Sequence, residues 1–420
     1  MSKTASTHRH ALHRTGVRAL VPQLCSIRSA HRFAAVLVAT IALVGSIQAR
    51  GTHPSSASRP AHPAVAPAAE THVWHRLPDG PAIAGHAAIV HRHAEGARLV
   101  TVGGLSGIGG EGAGPRALVL AEGQGRWRPF TTTLAPRSST GGAVRTGARL
   151  AVDPAERTAI LRCDCADSGA HLLDLERGEW RPFPGEAQPP LLGGLLAYDA
   201  ARDRAVHAGG DLLGLGSLVS DTVAHDLSDA RGGSSSLPTV PFQRVHHAAD
   251  VDPATGHWLA FGGQEADGEA STELWRADLA QVDEVGAWTH LGSAAESGKG
   301  PTPRTGATLT FLGESGMALL FGGYDAEVGE RADSWLLDYR DPAAPAWVEL
   351  AARPDPELGS PEPRAGHVAA WDPVAGSLVL HGGIVVEGRD VRILGEAWLL
   401  LPFEEEDAAP AIYLPSLRRP

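Results

Sequence analysis

The chain contains no asparagine, two lysines (Lys3 and Lys299), two methionines and three cysteines in 420 residues. Without asparagine there is no Asn-x-Ser/Thr acceptor, so N-glycosylation is excluded. Cys25, Cys163 and Cys165 are too few to build a disulfide scaffold. No stretch sustains a helical apolar period of about 3.6 residues, which sets aside helical bundles, coiled coils and helical solenoids. The chain also lacks a G-x-S-x-G elbow, an H-E-x-x-H helix and a Walker loop. Beyond the N-terminus acidic residues outnumber basic ones. Lys3, Arg9, Arg14, Arg18, Arg28 and Arg32 stand in the first 49 residues with no acid, so a formal total of −12 leaves −18 for the remainder. A body of that sign repels phosphate backbones and anionic membranes, and nucleic acid is not an expected partner.

Fifty glycines, 31 prolines and 43% hydrophobic residues suit many short strands joined by tight turns around a large core. Residues 1–49 read as a signal peptide or N-terminal anchor. Basic residues precede the uncharged run Phe33–Ile47, which is short for a bilayer span, and Ile47-Gln48-Ala49 offers a small-residue cleavage site. The protein is therefore expected to be secreted, periplasmic or at the cell surface, touching a membrane only if that segment stays uncleaved. Residues 50–70, rich in Ala, Pro, Ser and His, read as a disordered linker, and residues 403–420 as a tail.

Residues 71–402 are repetitive, and the clearest copy is Pro303–Leu350. It holds a strand at Gly306–Leu312, a second at Met317–Phe321 ended by Gly322-Gly323, a third at Ser334–Asp338 and a fourth at Trp347–Leu350. Similar units begin at Gly85, Gly141, Gly193, His247 and Gly366. The second has Cys163-Asp164-Cys165 in place of paired glycines, and the third lacks a fourth-strand tryptophan, leaving Leu237–Phe242 as the candidate. Asp153-Pro154, Asp252-Pro253 and Asp372-Pro373 sit between first and second strands, where Asp caps a turn and Pro fixes φ. Trp275, Trp335 and Trp398 on third strands, with Trp127, Trp180, Trp288 and Trp347 on fourth strands, supply area between packed units. This pattern of a Gly-His first strand, a second strand ending in Gly-Gly and a later tryptophan resembles the kelch repeat. The resemblance implies an all-β, six-bladed kelch-type β-propeller of four-stranded blades. The sixth copy lacks its own fourth strand; Trp74-His75-Arg76-Leu77 matches that strand elsewhere and is expected to close the ring, with Ile412-Tyr413-Leu414 as the competitor.

Loops after each Gly-Gly and before each first strand should share one face around the channel mouth. Arg137, Arg304 and Arg364 follow prolines on the way into first strands, and Arg244 stands equivalently. They read either as a ligand-binding ring for a carboxylate or as ties between a loop and its own blade. Asp211, Glu265, Asp267, Asp325, Glu330 and Glu387 lie on the loops that follow second strands. They are candidate ligand contacts, or solvated loop residues. Cys163 and Cys165 read as small buried residues in glycine positions, since a disulfide between near neighbours on a strand end would be strained. Galactose oxidase shares the kelch propeller and uses copper held by two tyrosines and two histidines; Tyr198, Tyr324, Tyr339 and Tyr413 match none of that set. No metal, cofactor or catalytic residue is expected. The reading is a monomeric, non-catalytic binding or scaffold module for an extracellular protein or carbohydrate. The alternative is an enzyme acting on an anionic sugar, similar to sialic acid mutarotases.

Overall fold

A computed structural model describes residues 72–402, except 94–95, 107–115, 122–123, 131–135, 137–146, 154, 156, 164–168, 186–188, 190, 213–215, 229–230 and 389. The segments 1–70 and 403–420, with the leader, linker and tail read there, lie outside the described residues, as does Ile412–Leu414.

The described chain is a six-bladed β-propeller of antiparallel sheets. Blade one is Ala87–His93, Gly96–Val102, Arg116–Ala121 and Gln124–Pro129; blade two is Arg149–Val152, Thr158–Arg162, Ala170–Asp174 and Glu179–Pro182. Blade three is Leu195–Asp199, Arg204–Leu212, Ser217–Asp226 and Gly233–Leu237, with Leu191–Leu192 as a short fifth strand against the long second one. Blade four is Ala248–Val251, His257–Phe261, Glu273–Asp278 and Trp288–Ser293. Blade five is Thr308–Phe311, Met317–Phe321, Ser334–Asp338 and Ala346–Glu349. Blade six is Val368–Asp372, Ser377–His381 and Ala397–Pro402, completed by His72–Leu77 from the other end of the described chain. First strands of neighbouring blades meet around the axis.

Second strands are apolar along their length because both of their faces are covered. Met317–Phe321 and His257–Phe261 are each buried after their first residue, and Ser377–His381 is buried throughout. The core is accordingly divided into wedges between adjacent blades. One such wedge joins Leu259 and Phe261 of blade four to Leu309, Phe311 and Leu320 of blade five. The Asp-Pro turns are capped as the sequence suggests: Asp252 Oδ1 accepts from Ala254 N at 3.1 Å, and Asp372 Oδ1 from Val374 N at 2.9 Å.

Two strand assignments are corrected. Blade two begins at Arg149–Val152, not at Gly141–Val144, which lies outside the described residues. Its register is set by Gly147, whose φ of +76° matches that of Gly85 before blade one, at +65°. Blade three's fourth strand is Gly233–Leu237 rather than Leu237–Phe242. An outer strand half exposed to solvent tolerates Ser234, Ser235 and Ser236. The missing tryptophan is replaced from beyond the strand by Phe242, buried with its ring 5.4 Å from Trp288 and 5.5 Å from Trp275.

Closure follows the N-terminal route. His72–Leu77 pairs antiparallel with Ala397–Pro402, placing Trp74 opposite Leu400. Trp74 is 2% exposed and meets Phe321 of blade five edge-on at 5.4 Å, and its backbone N–H donates to Arg353 O at 2.9 Å. The strand thus joins blades five and six as well as the two ends of the described chain. Trp74→Ala is expected to cost about 4 kcal/mol in equilibrium denaturation, and removal of 71–80 to lower the melting temperature further. A melting curve unmoved by that deletion would show that another strand closes the ring.

Candidate functional site: the channel mouth

Six residues that lead into first strands form a closed ring of backbone hydrogen bonds around the axis. Gly85 N donates to Gly366 O at 2.7 Å, Gly147 to Gly85 at 3.1 Å, and Gly193 to Gly147 at 3.1 Å. His246 donates to Gly193 at 2.8 Å, Gly306 to His246 at 3.0 Å, and Gly366 to Gly306 at 2.8 Å. All six adopt a left-handed φ between +56° and +76°, which turns each peptide along the circumference so that N–H faces the next C=O. Glycine holds that conformation at little cost, and His246 is the exception. The residue before the ring member pairs with the one after the Gly-Gly in Ala84–Leu105, Val245–Gln264, Thr305–Tyr324 and Ala365–Ile384. The Gly-Gly loops and the ring therefore share one face. A cavity of about 370 Å³ opens there, lined by ring residues together with Arg149, Asp211, His247, Gln264, Glu265 and Thr305.

The arginines of the expected ring are not aimed into this cavity. Arg304 is 1% exposed and all five of its N–H groups are used. Nη1 and Nη2 grip Asp333 Oδ1 and Oδ2 at 2.8 and 2.9 Å, Nη1 also reaches Gly322 O, and Nε and Nη2 bond Thr302. Arg364, fully buried, repeats the pattern with Glu396, Gly382 O and Glu362 O. Arg244, 7% exposed, holds Glu265 at 3.0 Å and also Glu273. Two of these ties cross to a neighbour through the backbone as well. Arg304 O accepts from Gly263 N of blade four at 3.0 Å, and Arg364 O from Gly323 N of blade five at 2.9 Å. A Cβ on Gly262 or Gly322 would lie 2.7 Å from those same carbonyls, which explains the first glycine of the pair. Arg137 lies outside the described residues. The register around Gly147 shows that Arg145, two positions before it, holds the sequence place of Arg304 before Gly306.

The acidic partners are Glu273, Asp333, which the sequence offers as one more acidic loop residue, and Glu396, and they share a sequence pattern. Each stands two positions before a third-strand tryptophan and accepts its indole N–H: Trp275 at 2.9 Å, Trp335 at 2.8 Å and Trp398 at 3.1 Å. Burial alone would raise Asp333, but the hydrogen bonds and charge of Arg304, with the indole of Trp335, outweigh it and hold the carboxyl at about 2. Glu273 and Glu396 are lowered in the same way.

The remaining candidates scatter. Asp211 lines the cavity and caps Gly216 N and Ser217 N, both at 2.9 Å. Glu265 lines it beside Arg244, and Asp267 turns to a separate outer cleft with Phe242 and Trp275. Asp325 is buried as a turn cap for Glu327 N. Glu330 accepts from Val386 N of blade six at 3.1 Å, and Glu387 meets Arg392 at a hairpin tip. Cys163 is buried and disulfide-bonded, with its partner outside the described residues. Among the described residues no group of three or more His, Cys, Asp or Glu side chains is placed to hold a metal.

No protein-family model matches the chain. Over 160 residues it is 31% identical to an F-box/kelch-repeat protein of Arabidopsis thaliana, a stretch covering 38% of this chain and 30% of that protein. The matched stretch is thus well under half of either.

Two outcomes follow from this geometry. Asp333→Ala strands a buried guanidinium and should cost about 3–5 kcal/mol, whereas Glu265→Ala, on a half-exposed partner, should change stability by about 0.5 kcal/mol or less; equal effects in urea denaturation would refute the distinction. Burial also keeps His86, His225 and His247 neutral down to about 3, and His207, His367 and His381 well below 6.5. Unfolding frees them to take up protons near 6.5, so stability is full above that pH and falls as pH drops toward about 3, by about 1.4 kcal/mol per histidine per pH unit. Asp250, raised by burial to about 6, works the opposite way as a single group. Melting temperature should fall between pH 7 and 5, above the range in which Asp333 titrates; a flat profile there would contradict the buried-histidine account.

Proposed function

Because the chain is a kelch-repeat β-propeller, we propose that it is a non-catalytic, monomeric binding module that docks a protein partner on its loop-bearing face, outside the cytoplasm after export by its N-terminal segment. The observation that carries the reading is the build of that face over blades five, six and one. The loop after blade six's Gly-Gly is a hairpin, Ile384–Glu387 against Asp390–Ile393. It is braced by Arg392 on both carboxylate oxygens of Glu362 at 2.6 Å, and across to blade five by Glu330. Tyr324, Val386, Val391 and Ile393 cluster there, half-buried, over buried Ala84 and Ile384. Stiff loops with an apolar centre and a charged rim suit recognition of another protein surface. The basic segment followed by Phe33–Ile47 supports export. An anionic-sugar enzyme drew its support from Arg304 and Arg364, whose donors are engaged inside their blades.

Val386 and Val391 face each other across the hairpin, so exchanging both for serine keeps the strand pairing. With the full chain expressed in its native host, cross-linking and mass spectrometry should place partner cross-links on this face. The double variant should weaken that partner's affinity at least about tenfold while the melting temperature stays within a few degrees. Cross-links confined to the opposite face, or capture unchanged in the double variant, would refute the proposal.

A further inference from the structure

The sixfold ring is broken on one side. His246 alone among its members carries a side chain, held at φ +56°, and a strained residue of that kind is a marker of functional sites. Two positions after each ring residue stand Ala87, Leu195, Ala248, Thr308 and Val368, but blade two has Arg149. Arg149 and His246 approach from opposite flanks of blade three and meet over Gly193-Gly194. Arg149 Nε donates to Gly194 O at 3.0 Å and Nη1 to Ala148 O at 3.2 Å. The His246 ring lies so near that a Cβ on Gly193 would be 3.0 Å from its Cε1.

Both side chains line the cavity at the channel mouth. Among the described residues Arg149 has no carboxylate partner, its Nη2 makes no hydrogen bond, and neither ring nitrogen of His246 makes one. His247, next along the chain, is 6% exposed on the same wall with both ring nitrogens unbonded. The carboxylates nearby are committed: Asp211 to the amides of Gly216 and Ser217, Glu265 to Arg244. Elsewhere the wall is mostly apolar, with Ala87, Ala249, Ala307, Leu150 and Leu309, beside the uncharged polar Gln264, Thr305 and Thr308. A cation without a counter-ion, beside unbonded donors in a largely apolar pocket of this size, is a site for an anion.

We propose that this side of the channel mouth binds a small organic monoanion, a carboxylate on a short apolar body, held by Arg149 Nη2 and His246 with the body along the alanine-lined wall. The site opens on the same loop-bearing face as the docking hairpin, with Ile384 lining the cavity, but does not rest on that reading. Burial, with the charge of Arg149, keeps His246 neutral down to about 4. It then offers one N–H without a second charge, which favours a single carboxylate over a dianion.

The test uses the full chain, thermal shift and titration calorimetry, with acetate, pentanoate and benzoate beside the matching amides. Pentanoate or benzoate should raise the melting temperature saturably and the amides should not. Arg149→Gln should abolish the shift. His246→Gly restores the residue that the other ring positions carry; it should melt at or above wild type yet bind at least about tenfold more weakly. Absence of any carboxylate-specific shift up to about 20 mM, or a shift retained in His246→Gly and Arg149→Gln, would overturn the site.

Discussion

The closed circle of six peptide hydrogen bonds, Gly85 to Gly366 to Gly306 to His246 to Gly193 to Gly147 and back, is the constraint on which the other features depend. Such a circle closes only if every blade delivers its first strand at the same height and angle. Head-to-tail peptide dipoles polarise one another, so the bonds strengthen together and weaken together. A left-handed φ at each position is the geometric cost, which is why five of the six are glycine. The ring also accounts for the terminal strand: with His72–Leu77 absent, the sixth blade would present an unpaired strand edge and half of a wedge to water.

Around this circle, blades four, five and six share a second device. An arginine enters the first strand, and its guanidinium binds an acid that also receives the tryptophan N–H two residues further on. In blades five and six the guanidinium also reaches the carbonyl of the same blade's first paired glycine. The arginine's own carbonyl meanwhile accepts from the preceding blade's glycine in the cases of Arg304 and Arg364. One residue therefore fastens its own blade and the joint behind it. A buried ion pair is weak evidence of net stability, since desolvation offsets the attraction. Its value here is directional: a guanidinium with all five donors assigned fixes where a loop runs, as an apolar residue of equal volume would not.

Much of this was legible in the sequence. The Gly-Gly endings, the Asp-Pro turns, the apolar second strands and the displaced Trp74 strand each follow from local chemistry that tertiary contacts reinforce rather than override. The errors have a common source. Gly141-Gly142 copies the composition of a repeat start, but the ring selects Gly147 by φ and by height on the axis, which composition does not encode. Leu237–Phe242 looks more strand-like than Gly233–Leu237, yet pairing on an outer strand is decided by backbone register, and Phe242 packs from a loop. The arginines were placed at the right positions in blades four, five and six. What could not be read was direction, since a side chain two residues before a turn can point into the channel or into its blade. The acid-x-Trp spacing at Glu273, Asp333 and Glu396 carried that information.

The departures from the repeat then acquire a meaning that its regular positions lack. In blades four, five and six the entering arginine finds its acid within its own blade, and the loop face above blades five and six is left to shape and apolar contact. In blades one, two and three the acid-x-Trp pair is missing. On blade two, among the described residues, Arg149 settles on backbone carbonyls with no carboxylate partner, and at the entry to blade four His246 occupies a glycine's place. A strained ring residue and a cation with no carboxylate partner among the described residues both oppose stability, and both persist on the same side of the same channel. Drift alone would scatter such departures among six interfaces. Their convergence on Gly193-Gly194 argues that the asymmetry is the part of this otherwise regular scaffold that selects a ligand.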